Sequence, residues 1–151
     1  MSWINLARIM VVSVLLCGTA AFAGDDPPTP TTLEGGKVIS VAEAKALIGK
    51  ASFFDMRKAV SFGKGHVPGA VALPYGQKSD KSPSFDASVD KFDMSQLPAD
   101  KSTALVFYSD GPTGWKSYKA AVLAIRSGYT NVMWMREGSA GWEAAGYELA
   151  Q

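Results

Sequence analysis

Leu105-Val106-Phe107-Tyr108-Ser109-Asp110-Gly111-Pro112-Thr113-Gly114-Trp115-Lys116-Ser117 reads as a buried apolar strand, a Gly/Pro loop and the opening of a helix. A short unbroken apolar run fits a strand covered on both faces. From Lys116 onward, Tyr118, Ala121, Val122 and Ile125 fall at i, i+3, i+4 and i+7, one helical face, until Gly128 supplies the C′ glycine. Ala120 and Ala124 keep that helix slim enough to lie on a sheet. In α/β proteins the loop after a strand's carboxyl end, facing a helix N-terminus, is where ligands usually sit. Ser109 stands at that strand end, where a nucleophile or an anion ligand belongs.

Outward from this stretch, strands and helices alternate. Lys37-Val38-Ile39 is a short strand. Ser40 and Glu43 form a capping-box pattern ahead of a helix over Val41–Ile48, which Gly49 stops. A second strand runs from Ala51 to Asp55, and a loop continues from there through Gly69. Ala70 to Leu73 is a third strand, ended by Pro74. The segment Tyr75–Lys101 is long and polar, with Phe85, Phe92, Met94 and Leu97 as anchors; such a loop holds a short helical turn or covers a functional face. Ala104 to Tyr108 is the fourth strand and Val132 to Met135 the fifth, and Ser139 is expected to cap a last helix carrying Trp142. The alternation predicts an α/β fold, with a mostly parallel five-stranded sheet and helices on both faces.

The 151 residues, 47% hydrophobic, suit one domain with a real core. Residues 1–23 read as a secretory signal peptide: Arg8, an apolar run from Ile9 to Cys17, and the cleavage pattern Ala21-Phe22-Ala23. A lipoprotein signal at Leu15-Leu16-Cys17 is the rival, but Leu16 is large where a lipobox needs a small residue. Residues 24–36, with Pro27, Pro28, Pro30 and Gly35-Gly36, read as a flexible linker to a domain over 37–151. Cleavage after Ala23 removes Arg8, leaving 14 basic and 14 acidic residues, so electrostatics argue neither for nucleic acid nor for a membrane after cleavage. Cleavage also removes Cys17, the only cysteine, and with it any disulfide, thiolate nucleophile or thiolate metal site.

Three constellations could carry chemistry. Asp55-x-Arg57 is either an acid beside an electrophile or an ion pair pinning a loop, and the position after a strand favours the ion pair. His66, the only histidine, has no ligand spacing around it and so no metal role. It could be a general base, but Gly65-His66-Val67-Pro68-Gly69 better suits a tight turn in which the ring bonds backbone. The loop Ser109, Asp110, Gly111, Pro112, Thr113, Gly114, Trp115, Lys116 and Ser117 could hold an anion on its amides and helix N-terminus, with Lys116 adding charge. A plain strand-to-helix turn fits equally. A serine nucleophile would need His66 and a buried carboxylate to converge, which the spacing does not show, and neither a Gly-x-Ser-x-Gly elbow nor a Walker-type loop is present. Trp115, Trp134 and Trp142 suit the core better than a pocket lining.

Taken together, these residues resemble the rhodanese-like (sulfurtransferase) family over nearly all of Lys37–Leu149. Phe54-Asp55-Met56-Arg57 with Gly65-His66-Val67-Pro68-Gly69-Ala70 is similar to the family's first signature. Gly128-Tyr129-Thr130-Asn131-Val132 with Gly138-Ser139-Ala140-Gly141-Trp142 is similar to its C-terminal one. The resemblance implies that a cysteine ends the fourth strand and carries sulfane sulfur as a persulfide, with a cradle-shaped loop after it. The loop further resembles an exported subgroup with Cys-x-Gly-Pro-x-Cys-Trp, some members being associated with quinoprotein-dependent alcohol oxidation. Ser109 and Gly114 hold the two cysteine positions here. A helix N-terminus lowers a thiol pKa to roughly 3.5–7.5. A serine hydroxyl there stays protonated and cannot become a persulfide.

The expectation is therefore a periplasmic or secreted rhodanese-like protein without sulfurtransferase activity, needing no cofactor, whose loop binds a small oxyanion or a periplasmic protein partner. Two other readings stand beside it. One is a hydrolase using Ser109 on a phosphate or acyl ester; the other is an accessory protein of a periplasmic oxidoreductase or sulfur-transfer system.

Overall fold

The computed structural model describes residues 26–151, so the leader expected over residues 1–23 lies outside the described residues. Five strands form one sheet: β1 (Lys37–Val38), β2 (Ser52–Asp55), β3 (Val71–Ala72), β4 (Leu105–Tyr108) and β5 (Val132–Trp134). Their order is β1-β5-β4-β2-β3, and every ladder is parallel, so the sheet is parallel throughout. β4 lies at the centre, with Phe54 opposite Phe107 on one side and Phe107 opposite Trp134 on the other.

Alternation along the strands separates two apolar layers. Phe54, Leu105, Phe107, Val132 and Trp134 face one layer, with Trp115, Tyr118, Ala120, Ala121 and Ala124 of α3 (Trp115–Arg126). Phe53, Val106, Tyr108 and Met133 face the other, with Ala44 of α1 (Val41–Ala46) and Trp142 of α4 (Gly138–Ala144). Phe62 of α2 (Ala59–Lys64) packs against that second layer. Each central strand is thus buried on both faces, the reason its sequence is an unbroken apolar run. The three tryptophans 115, 134 and 142 are core residues.

Several local expectations change. The capping box at Ser40 and Glu43 is present, with both reciprocal hydrogen bonds made. Ser139 does not cap the last helix: that helix starts at Gly138, and Ser139 is its second residue. α2 replaces part of the loop expected between Asp55 and Gly69. Its six residues include a glycine, bury no side chain fully and lack a capping side chain, so no helical signature marks it. Residues 26–36 are not a free tether. Thr29 and Leu33 are buried, and hydrogen bonds fix this strap to the rest of the domain. Its Pro-rich composition is the same for a docked strap and a free linker, so the contacts that immobilise it are not legible in the sequence.

The long polar segment carries two 3-10 turns, Ala87–Val89 and Met94–Gln96. It is tied down by a polar network around Asp90. That carboxylate accepts from the Tyr75 hydroxyl at 2.7 Å, the Ser79 hydroxyl at 2.6 Å, and the amides of Lys78 and Ser79 at 2.7 Å. Lys119 of α3, fully buried, donates to the Ser79 carbonyl at 3.1 Å and hydroxyl at 2.7 Å. Burial pushes the Lys119 ammonium below its ordinary pKa, while the charge of Asp90 works the other way.

Candidate functional site

The carboxyl ends of β2 and β4 emerge side by side, each followed by a loop and a helix. After β4, strand alternation turns Ser109 toward the α3 side. Its side chain meets the Ser117 hydroxyl at 2.7 Å and the Gly114 carbonyl at 3.0 Å, and Ser117 reaches the same carbonyl at 3.2 Å. Each hydroxyl has a single proton. Whichever serine donates across the shared contact, the other donates to Gly114, so both protons are committed within the loop. Trp134 Nε1 donates to Ser117 Oγ at 2.9 Å, closing the network from below. Ser109 is only 2% exposed.

Gly114 is what permits this packing. A Cβ built there would lie 2.3 Å from Ser109 Oγ and 2.9 Å from the Gly111 carbonyl oxygen. Gly111 to Gly114 is a tight turn, with the Gly114 amide donating to the Gly111 carbonyl at 2.8 Å and Pro112 at its second position. Gly138 makes a second close approach. Its φ is +61°, and a Cβ would lie 2.4 Å from the Ser109 carbonyl oxygen. The Ser139 amide donates to the Ser109 carbonyl at 2.9 Å and the Ala140 amide to the Asp110 carbonyl at 3.0 Å. The start of α4 thus takes up the carbonyls of the β4 loop. The amides of Asp110, Thr113, Trp115 and Lys116 meet no acceptor among the described residues.

The strap lies against this loop and brings Asp26 to its rim. The Thr29 amide and hydroxyl both donate to the Pro112 carbonyl, at 2.9 and 2.6 Å, and Trp115 Nε1 donates to the Pro27 carbonyl at 2.8 Å. Arg136 clamps the strap from behind, donating to Thr29 Oγ1 and to the carbonyls of Thr29 and Pro30. Asp26 and Lys81 form an ion pair. These residues, with Gln77, Ser109, Asp110, Thr113, Gly114, Trp115 and Lys116, enclose a hollow of about 70 Å³. That is room for a few waters or one small oxyanion. The sequence shows residues 24–36 only as a linker and does not single out Gln77 or Lys81; the long polar loop over 75–101 is the one hint of a cover.

The β2 loop is organised differently. Asp55 Oδ1 accepts from the Arg57 amide and Nε, each at 3.0 Å; its Oδ2 accepts from Arg57 Nη2 at 2.6 Å and from the Tyr108 hydroxyl at 2.8 Å. Arg57 Nη2 also donates to the Gly65 carbonyl at 2.7 Å, and the Val67 amide donates to Tyr108 Oη at 3.0 Å. Burial and the Asp55 charge drive the Tyr108 pKa upward, keeping it a neutral donor. His66 stacks on Phe62 at 3.7 Å between ring centroids, and its Nδ1 lies 3.0 Å from the Phe62 carbonyl oxygen. Its backbone pairs with Ala150. Asp55, Arg57 and His66 therefore build the loop next door and do not meet Ser109. No imidazole or carboxylate bonds Ser109 Oγ among the described residues, so the base that a serine hydrolase requires is not assembled. No group of residues there has a metal-binding arrangement.

The model of the rhodanese-like domain matches residues 40–145, from the capping serine of α1 to the end of α4. The chain belongs to the rhodanese-like domain family. Solved structures share the fold of this rhodanese-like domain. The Alr3790 protein from Anabaena sp. is 19% identical, the match covering 74% of this chain and 79% of that one with a TM-score of 0.55. The BH2092 protein from Bacillus halodurans is 21% identical, with 76% of each chain covered and a TM-score of 0.57. Thiosulfate sulfurtransferase from Pseudomonas aeruginosa is 21% identical, with 78% of this chain matched to 21% of that chain and a TM-score of 0.57. No curated protein matches the sequence.

Proposed function

We propose that this rhodanese-like domain is an exported binding module that carries no sulfur itself and holds a small oxyanion, or the surface of a periplasmic partner, at the Ser109–Ser117 loop. One observation carries the reading. Ser109 stands where the family resemblance puts the persulfide-forming cysteine, and its hydroxyl is folded into the loop. A hydroxyl cannot hold sulfane sulfur, and the only cysteine of the chain, Cys17, lies in the expected leader. The loop amides without acceptors, at the head of the twelve-residue α3, support an anion as the occupant. The basic, apolar and Ala-x-Ala pattern of residues 1–23 supports export.

A thiosulfate:cyanide sulfurtransferase assay of the purified protein tests the first half, with no turnover expected; turnover would end the proposal. Titration with sulfate, followed by the amide resonances of Asp110 to Ser117, tests the second. Saturable shifts in those residues are expected, and their absence removes the oxyanion. Ser109→Cys then asks whether the cradle lacks only its nucleophile, gained sulfur transfer being the expected answer. A cysteine at position 114 as well would crowd the site, since a Cβ there falls where the residue 109 side chain lies. The single exchange is the cleaner test.

A further inference from the structure

The cradle does not hold the positive charge of this end of the molecule. Of its charged lining residues, Asp26 and Lys81 pair with each other, and Asp110 and Lys116 carry one charge of each sign. Beside it lies a second hollow of about 490 Å³ that is lined by Lys58, Lys91 and Lys116, with Tyr75 and Gln77, and by no carboxylate. None of these three lysines is in an ion pair among the described residues. The lysines arrive on three separate segments. Lys58 precedes α2 in the β2 loop, Lys116 is the second residue of α3, and Lys91 lies in the long polar segment. Lys91 is held by reciprocal backbone hydrogen bonds with Gly76, both at 2.8 Å, next to the Asp90 network. A fixed backbone thus brings three like charges around one concavity. Like charges so placed repel until a counter-charge occupies the space between them, and they concentrate anions there.

Gln77 joins the two hollows, since it lines both. Its Oε1 is shut off from solvent and has no hydrogen-bond partner, alone among the buried side-chain polar atoms of the described residues. A buried amide left without a partner calls for an explanation, and a small turn of this side chain toward a ligand that crosses from one hollow to the other would supply one. Such a ligand meets the amide with a donor, or meets Nε2 with an acceptor if the amide is turned over.

We propose that the three-lysine hollow is an anion subsite continuous with the cradle, and that the ligand is a small polyanion, with one anionic group in the cradle and at least one more among Lys58, Lys91 and Lys116. This rests on the oxyanion reading of the cradle and extends it to the class of ligand. A volume of about 490 Å³ lies within the roughly 300–1,000 Å³ range of small-molecule sites.

Calorimetric titration of the purified protein with inorganic phosphate and with tripolyphosphate, at fixed ionic strength, tests it. Tripolyphosphate should bind at least about tenfold more tightly than phosphate, because its second charged group gains the lysines. Lys58→Gln with Lys91→Gln should weaken tripolyphosphate by about fivefold or more and leave phosphate within about twofold, two partly exposed charge contacts having been removed. Lys45→Gln with Lys64→Gln, which removes the same charge elsewhere, should change neither. Equal affinity for the two anions overturns the subsite while phosphate binding keeps the cradle. Equal losses from the two lysine pairs also overturn it, as an effect of net charge. Tripolyphosphate binding that depends on Lys58 and Lys91 without any phosphate binding keeps the subsite and removes the cradle reading.

Discussion

Two loops leave the same end of the sheet from adjacent strands, and they use their polar groups in opposite ways. After β2, each carboxylate oxygen of Asp55 accepts hydrogen bonds, and Arg57 reaches on to the Gly65 carbonyl, so the loop is closed by side chains. After β4, the Ser109 and Ser117 hydroxyls bond each other and the Gly114 carbonyl, and the α4 amides take up the Ser109 and Asp110 carbonyls. The amides of the β4 loop are left over. The β2 loop is braced by its own ion pair; the β4 loop is tied through its carbonyls to the next helix, and its free amides are what the proposed anion site rests on. Both loops are held firmly, so rigidity does not distinguish them. What distinguishes them is what fills them: a buried ion pair in the β2 loop, and two hydroxyls with the α4 amides in the β4 loop.

The sharpest way to break the comparison is to cut the brace. Asp55→Ala leaves the buried Arg57 guanidinium without its partner, and the cost should be about 3–5 kcal/mol in urea or thermal unfolding. A loss under about 1 kcal/mol would mean that water replaces the carboxylate and that the loop is no brace. Gly114→Ala attacks the other loop. Its new Cβ meets the Ser109 hydroxyl and the Gly111 carbonyl, and should cost about 1–3 kcal/mol. Ser109→Ala in the same chain should recover part of this loss, a coupling that a double-mutant cycle measures. Strict additivity would show that the two residues do not share the space.

The cover of the loops depends on pH. Burial of Asp90 opposes its charge, but hydrogen bonds from Ser79, Tyr75 and the amide of Lys78 outweigh that and hold its pKa down at about 2. A depressed carboxylate contributes stability that is full above its unfolded pKa of about 4 and is lost as pH falls toward 2. For this partly exposed group the contribution should be about 1 kcal/mol after screening. Urea midpoints of the parent protein and of Asp90→Asn should therefore converge between about pH 4 and pH 2. Parallel curves would remove Asp90 as the cause. The smallest global effect belongs to the strap. Thr29→Val removes the hydroxyl that donates to Pro112 and accepts from Arg136, and should speed exchange of the Trp115 indole proton about tenfold with little change in Tm. Unchanged exchange would mean that the strap is held elsewhere.

The sheet and the position of the loop could be read from the sequence because their causes are local. The apolar run of β4, the capping box at Ser40 and Glu43, and the i, i+3, i+4 pattern of α3 each act within a few residues. Ser109 followed from the strand end alone. What surrounds it did not. Gly138 was visible within a family signature, but its close approach to Ser109 depends on a contact 29 residues distant in the chain. Thr29 and Pro27 lie 83 and 88 residues from their partners, and their Pro-rich composition is the same for a docked strap and a free linker. Lys58, Lys91 and Lys116 share no spacing in sequence. Only the sheet order brings them around one hollow, and no periodicity reports it.

That separation also makes the strap a part that can detach by itself. The sheet and its helices can condense before residues 26–36 find their place, because the strap adds no strand and buries few side chains. Its contacts close loops of 83 to 107 residues but rest on a few hydrogen bonds, so they can open locally at lower cost than the sheet. The strap over the β4 loop thus has a stability of its own, separate from that of the sheet beneath it. A chain can be fully folded by any measure of its core while the strap that brings Asp26 to the hollow is detached from Pro112 and Trp115.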